Sequence, residues 1–257
     1  MLVVEGGGSD VVVLLPGFMN AASSYSALAG SLAESGITVV VGQLYRRGVG
    51  ALAGRVPVSA EACAASDLVR TTAAQRPGCR VHLAGHSRGG QAAWLAAATL
   101  VDDGLPASLV LIDPVDGEGR RTSVPVSTAT DAAFDVPALV IGAGVGGRCA
   151  PEGVNHEQFA RATPAARHVV VDGLGHADML DDRQRAVGRR LCSGGPDPDA
   201  ARATLAALIA AWVAAVVADQ EPSSDADPAA DSDAAPSTRP RGDAPDLPAI
   251  PGTHVLR

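Results

Sequence analysis

VHLAGHSRGGQAAW, from Val81 to Trp94, runs an apolar segment into an alanine-rich one through a serine set among glycines. The first half has the composition of a buried strand. The second half is rich in helix formers. Between them stands Gly85-His86-Ser87-Arg88-Gly89, a G-x-S-x-G pattern. A strand that becomes a helix within one residue needs a strained turn, and Gly85 and Gly89 leave room for close strand–helix packing. Such a turn pushes the Ser87 hydroxyl out over the sheet, at a helix N-terminus whose open N–H groups favour developing negative charge. The stretch therefore predicts a serine nucleophile at the carboxyl end of a parallel strand, where open α/β sheets bind their ligands.

The same grammar repeats outward. Val11–Gly17 (VVVLLPG), Thr38–Tyr45 (TVVVGQLY), Ser108–Asp113 (SLVLID), Pro137–Gly144 (PALVIGAG) and His168–His176 (HVVVDGLGH, with its loop) read as further strands. They are apolar throughout rather than alternating, as in a parallel sheet covered on both faces. Helices are expected over Ser24–Gly36, Ser59–Gly78, Arg88–Asp103, Glu152–Ala162, Ala177–Leu191 and Asp199–Asp219. No strand is expected ahead of Val11. The fold class is α/β, an α/β-hydrolase fold with a mostly parallel doubly wound sheet of about six or more strands flanked by helices. Pro114–Val136, about 23 residues, is too short for a large cap domain. The hydrolase domain is expected over 1–220. From Glu221 to Arg257 the chain is rich in Pro, Asp, Ala and Ser and reads as a disordered tail. Its Arg241-Gly242-Asp243 triplet reads as chance.

Bulk composition excludes several classes. The 257 residues carry a net charge of −8, with no lysine, so no nucleic-acid partner is expected. Aromatics are 3% of the chain, too few for stacking platforms. The apolar run Ala203–Ala218 is 16 residues long, short for a membrane span, and reads as a helix packed on the sheet. No stable membrane insertion is expected, although membrane-surface contact is compatible with the chain. The first residues lack a basic start and an apolar core, which predicts a cytoplasmic location, with a plastid or pigment-membrane surface as the alternative. Cys63, Cys79, Cys149 and Cys192 form no CxxC pair and no zinc-spaced cluster, so neither metal nor cofactor is expected and free thiols are the plain reading.

A serine hydroxyl needs a base. Of the six histidines, His176 lies in the loop after the last expected strand, where a Ser…Asp…His order would put it. His86 adjoins the serine, but neighbours on such a turn point apart; it is a pocket candidate. His156 either lines the pocket or packs. His82 falls inside a strand, His168 begins one and His254 is in the tail. The acid that orients the imidazole is expected to be Asp113, at the end of its strand, with Asp116 and Glu152 as alternatives. The oxyanion donors are expected to be the backbone N–H groups of Arg88 and of Phe18, in the turn LLPGFMN. The Arg88 side chain is expected to pair with a carboxylate.

Four segments in order, GHSRGG (85–90), LIDPVDG (111–117), CAPEGVNHEQF (149–159) and DGLGHADMLDD (172–182), together resemble the chlorophyllase family, as does SYSALAGSLAESGITVVVGQLY (24–45). The resemblance spans about residues 11–192. It implies an α/β-hydrolase that cleaves the phytyl ester of chlorophyll to chlorophyllide and phytol without a cofactor, with Ser87 as nucleophile, Asp113 as acid and His176 as base. The partner it implies is a small-molecule ester, chlorophyll or a related phytylated pigment. Where the family usually has His-Gly before the oxyanion turn, this chain has Pro16-Gly17. Cys149 and Cys192 fall where the family tends to carry cysteines, which makes a disulfide between them a hypothesis. Two other readings stand beside it: a general carboxylesterase or lipase on the same triad, and a non-catalytic binder of a tetrapyrrole or isoprenoid.

Overall fold

Residues 1–44, 56–117, 127–128, 136–220 and 244–256 are described by a computed structural model. The six apolar runs form six mutually parallel strands: β2 (Asp10–Leu15), β3 (Thr38–Val41), β4 (Arg80–His86), β5 (Leu109–Ile112), β6 (Ala138–Ala143) and β7 (Arg167–Val171). Two short strands extend the sheet at its edges. β1 (Leu2–Val4) runs antiparallel to β3, and β8 (Thr253–Val255) antiparallel to β7. The eight-stranded order is β1-β3-β2-β4-β5-β6-β7-β8.

Both edge strands correct the sequence reading. Leu2–Val4 was too short to show a periodicity, yet it pairs in register with Val39–Val41. The tail expected to be disordered carries β8. Ala244, Leu247 and Ile250 pack on the core, and Arg167 pairs with Asp246. The acidic, proline-rich composition of the preceding stretch masked this small apolar group. Expectations for Tyr45, for most of Pro114–Val136 and for 221–243, the Arg-Gly-Asp triplet included, lie outside the described residues.

Helices cover both faces, as apolar strands require. On one side are α1 (Ser26–Glu34) and the long α6 (Pro198–Gln220). Their Leu28, Leu32, Leu205, Ile209, Trp212 and Val216 meet Val12, Leu14, Val39, Val41, Val110 and Ile112 of the sheet. On the other side, α2 (Val58–Gln75), α3 (Arg88–Leu100) and α4 (His156–Ala162) bury Val69, Trp94, Leu100 and Phe159 against Val11, Val13, Leu83 and Leu111. α6 is long and apolar enough by composition to cross a membrane, but its apolar stripe is spent on the sheet. α5 (Asp182–Leu191) has no buried residue. It starts later than the expected Ala177 because Ala177, Met179 and Leu180 turn into the core first. α4 starts at His156 rather than Glu152, since the Asn155 side chain caps it by accepting the Glu157 N–H at 3.2 Å.

Candidate active site

The register of β4 puts His86 at the strand end and makes Arg88 the first residue of α3, leaving Ser87 alone to turn the chain. Its backbone sits at φ 55°, ψ −123°, a strained conformation for a residue with a Cβ. The glycines explain how the turn is tolerated. A Cβ on Gly85 would lie 2.2 Å from the Gly89 carbonyl oxygen, and one on Gly89 would lie 2.4 Å from the Leu15 carbonyl oxygen. Strand, helix and the turn after β2 therefore touch backbone to backbone. That contact brings the turn bearing Phe18 beside the N-terminus of α3. The Arg88 amide is one of the helix-terminal N–H groups that no helical carbonyl can satisfy.

The structure brings Ser87, His176 and Asp113 into one line. His176 Nε2 is 3.0 Å from Ser87 Oγ, and His176 Nδ1 is 2.6 Å from Asp113 Oδ2. Asp113 follows β5 directly, at φ 39°, with its amide bonded to the Ile141 carbonyl at 2.7 Å. The Ala143 N–H donates to its other oxygen at 3.2 Å. Burial pushes the Asp113 carboxyl up, but the hydrogen bond and charge of His176 outweigh it, helped by His156 and the Ala143 amide, and its pKa falls below the ordinary value. Asp113 thus stays ionised beside the ring. Such a line can take a proton from Ser87 Oγ and stabilise the imidazolium that results.

Of the three acids open in the sequence, Asp113 is the one at the imidazole. Asp116 is buried elsewhere. It accepts from Gln91 Nε2, Ser127 N and Thr128 N, each at 2.8 Å, and from Thr128 Oγ1, and so ties Ser127 and Thr128 to α3. Glu152 is exposed. The two pocket candidates move inward. His86 is buried under the site between Tyr25 and His176, and burial, followed by the charge of His176, pushes its pKa down to about 3. His156 packs on Gly142, where a Cβ would meet its ring at 2.5 Å, and pairs with His168 at 2.8 Å. Arg88 does pair with a carboxylate: its Nε donates to both oxygens of buried Glu61, at 2.8 and 3.1 Å, and Nη2 to the Val56 carbonyl at 3.0 Å.

Several residues that support the site had no role assigned from the sequence. Asp178, fully buried, accepts from Gly175 N at 2.8 Å and Gly195 N at 2.6 Å, bracing the loop that carries His176. Asp181 caps α1 by accepting from Ala27 N at 2.9 Å. Cys149 and Cys192 are joined in a disulfide with Cα atoms 5.3 Å apart, which overturns the free-thiol reading for those two. Cys63 and Cys79 are free thiols. Among the described residues no group of His, Cys, Asp or Glu is arranged to hold a metal ion.

The chlorophyllase family model matches residues 2–238 of this chain. The chain belongs to the chlorophyllase family. Chlorophyllase-2 of Arabidopsis thaliana is 33% identical over 239 residues, 82% of this chain and 74% of its own length. A chloroplastic chlorophyllase-1 of Citrus unshiu is 32% identical over 236 residues, 81% of this chain and 69% of its own. Among solved structures, a ferulic acid esterase from Streptomyces cinnamoneus matches with a TM-score of 0.57 at 19% identity, over 97% of this chain and 74% of that one. A dienelactone hydrolase from Anabaena variabilis gives 0.57 at 15% identity, over 82% and 89%. These last two likenesses establish the α/β-hydrolase fold. With the family, they make this chain a carboxylic ester hydrolase.

Proposed function

We propose that this chlorophyllase-family hydrolase cleaves the phytyl ester of chlorophyll, giving chlorophyllide and phytol, through Ser87, His176 and Asp113. The observation that carries the reading is the unbroken line from Ser87 Oγ through the His176 ring to Asp113, at 3.0 and 2.6 Å, on a strained strand-to-helix turn. His176 Nε2 takes the Ser87 proton as Oγ attacks the ester carbonyl. The tetrahedral oxyanion is held by the N–H groups of Phe18 and Arg88. His176 returns the proton to the leaving phytol oxygen, and the acyl group stays on Ser87. Water, deprotonated by the same ring, then releases chlorophyllide and restores the hydroxyl. Phe18 and Met19, each 48% exposed, give the oxyanion turn an apolar surface suited to an isoprenoid alcohol.

The test is phytol release from chlorophyll a in detergent, comparing the native chain with Ser87→Ala. The expected result is release by the native protein and none above background by the variant. A second reading, a carboxylesterase of broader range, draws support from the 3% aromatic content, low for a site that grips a tetrapyrrole. It prevails if chlorophyll is untouched while small p-nitrophenyl esters turn over and Ser87→Ala abolishes that turnover.

A further inference from the structure

Beneath the reacting atoms lies a second, fully buried relay. Tyr25 and His86 are 0% and 1% exposed. The Gly17 N–H donates to Tyr25 Oη at 2.8 Å. Tyr25 Oη is 2.7 Å from His86 Nδ1, and His86 Nε2 is 2.9 Å from the backbone carbonyl of His176. A carbonyl can only accept, so Nε2 carries the ring proton. The ring is neutral, since its pKa is pushed down to about 3, so Nδ1 accepts from the Tyr25 hydroxyl. Every donor in the chain then has one acceptor, and the direction of each bond is fixed.

The ends of this relay lie on three separate segments. Gly17 precedes Phe18 in the turn after β2. His86 precedes Ser87 at the elbow. His176 carries the base. The contacts are tight enough to transmit position: a Cβ on Gly17 would lie 2.9 Å from His86 Nδ1, and the His86 and His176 rings sit 4.9 Å apart. We propose that Tyr25 and His86 are positioning residues that hold the oxyanion turn, the elbow serine and the base loop in register. The proposal rests on the serine-hydrolase reading above. Neither residue meets substrate. They act on the geometry of groups that do, where an error of about 1 Å costs on the order of a hundredfold in rate. The base loop has other anchors in Asp178, and Asp181 ties its far end to α1, so the fold does not depend on this relay alone.

The experiment measures kcat and KM on a p-nitrophenyl ester, per active site titrated to completion with a fluorophosphonate for native protein, Tyr25→Phe, His86→Ala and His86→Gln, and per mole of protein for Ser87→Ala, which lacks the titrated hydroxyl. Tyr25→Phe removes one oxygen atom and keeps the ring. Its expected kcat is about 10-fold lower with KM within about twofold of native. His86→Ala is expected to lose about 100-fold in kcat. His86→Gln, which keeps an N–H for the His176 carbonyl, recovers part of that. If kcat per titrated site stays within twofold of native in Tyr25→Phe and His86→Ala, or if the loss falls on KM, the positioning role is overturned, and Ser87→Ala tells which claim failed. An inactive Ser87→Ala leaves the hydrolase reading standing without the relay. A native rate in Ser87→Ala brings down both.

Discussion

The molecule holds a carboxylate, an imidazole and a serine in line at both ends of its sheet, and the ends behave differently. At the carboxyl end, Asp113, His176 and Ser87 are linked at 2.6 and 3.0 Å. At the amino end, Asp10 Oδ1 is 3.2 Å from His82 Nε2, and His82 Nδ1 is 2.8 Å from Ser108 Oγ. The residue types coincide, and every contact is within hydrogen-bonding reach, although the imidazole faces the carboxylate with Nδ1 in one and Nε2 in the other. The surroundings differ. Ser87 is half-buried, on a strained turn at a helix N-terminus. Ser108 is fully buried directly ahead of β5, and its oxygen already accepts the Trp212 indole N–H at 3.1 Å. Asp10 also spends its charge on Arg80, at 2.8 Å, whereas Asp113 faces the imidazole and one backbone amide. A carboxylate neutralised by guanidinium has less to offer an imidazolium. A Ser-His-Asp constellation can therefore serve to satisfy buried polar groups alone. Exposure, a strained turn at a helix N-terminus and a carboxylate not paired with a guanidinium set the proposed site apart from its counterpart.

The contrast breaks most visibly at the two serines. Ser87→Ala should lower ester hydrolysis by about four orders of magnitude or more. Ser108→Ala should keep native kcat per folded molecule, yet leave His82 and Trp212 without their partner and cost about 1–3 kcal/mol in a denaturant titration. Next in size are the carboxylates. Asp113→Asn should lower kcat by about a thousandfold or more by upsetting the tautomer and charge of the ring pair, with little change in KM. Asp10→Asn should leave kcat alone and cost about 1 kcal/mol of stability near neutral pH. The smallest effect is the pH dependence of that last cost. Burial raises the Asp10 pKa, but the bonds to His82 and Arg80 outweigh it and bring it well below the ordinary aspartate value. Because the folded value is depressed, the stabilisation is complete above the unfolded value and is lost as pH falls through the folded one. The stability gap between native and Asp10→Asn should hold steady from neutral pH to about pH 5 and close in stronger acid. A gap that widens on acidification would reverse the sign and remove Asp10 as a stabilising ionised group.

The parallel core and the serine turn were legible because both are local. Six apolar runs bounded by glycines and prolines state their own strands, and G-H-S-R-G between a strand and a helix states its own turn. What stayed hidden depends on partners distant in sequence. β1 and β8 are three residues each, and their pairing is visible from their neighbours alone. Asp113 and Asp116 look alike in LIDPVDG, but Asp116 is taken up by Gln91, Ser127 and Thr128, distant in sequence, while Asp113 meets His176. In DGLGHADMLDD three acids follow the base. Asp178 turns inward to brace Gly175 and Gly195, while Asp181 turns out to cap α1. His86 does point away from Ser87, as neighbours on such a turn should. It points into the interior, at Tyr25 and the base loop, where no sequence pattern announces a contact.

The most direct test of the central claim, that one of the two serine relays is the working one, is to treat the native protein with a fluorophosphonate and locate the adduct by mass spectrometry of its peptides. One adduct per chain is expected, on Ser87, formed together with the loss of ester hydrolysis, with Ser108 unmodified. An adduct on Ser108, or full loss of activity with Ser87 unmodified, would contradict the claim.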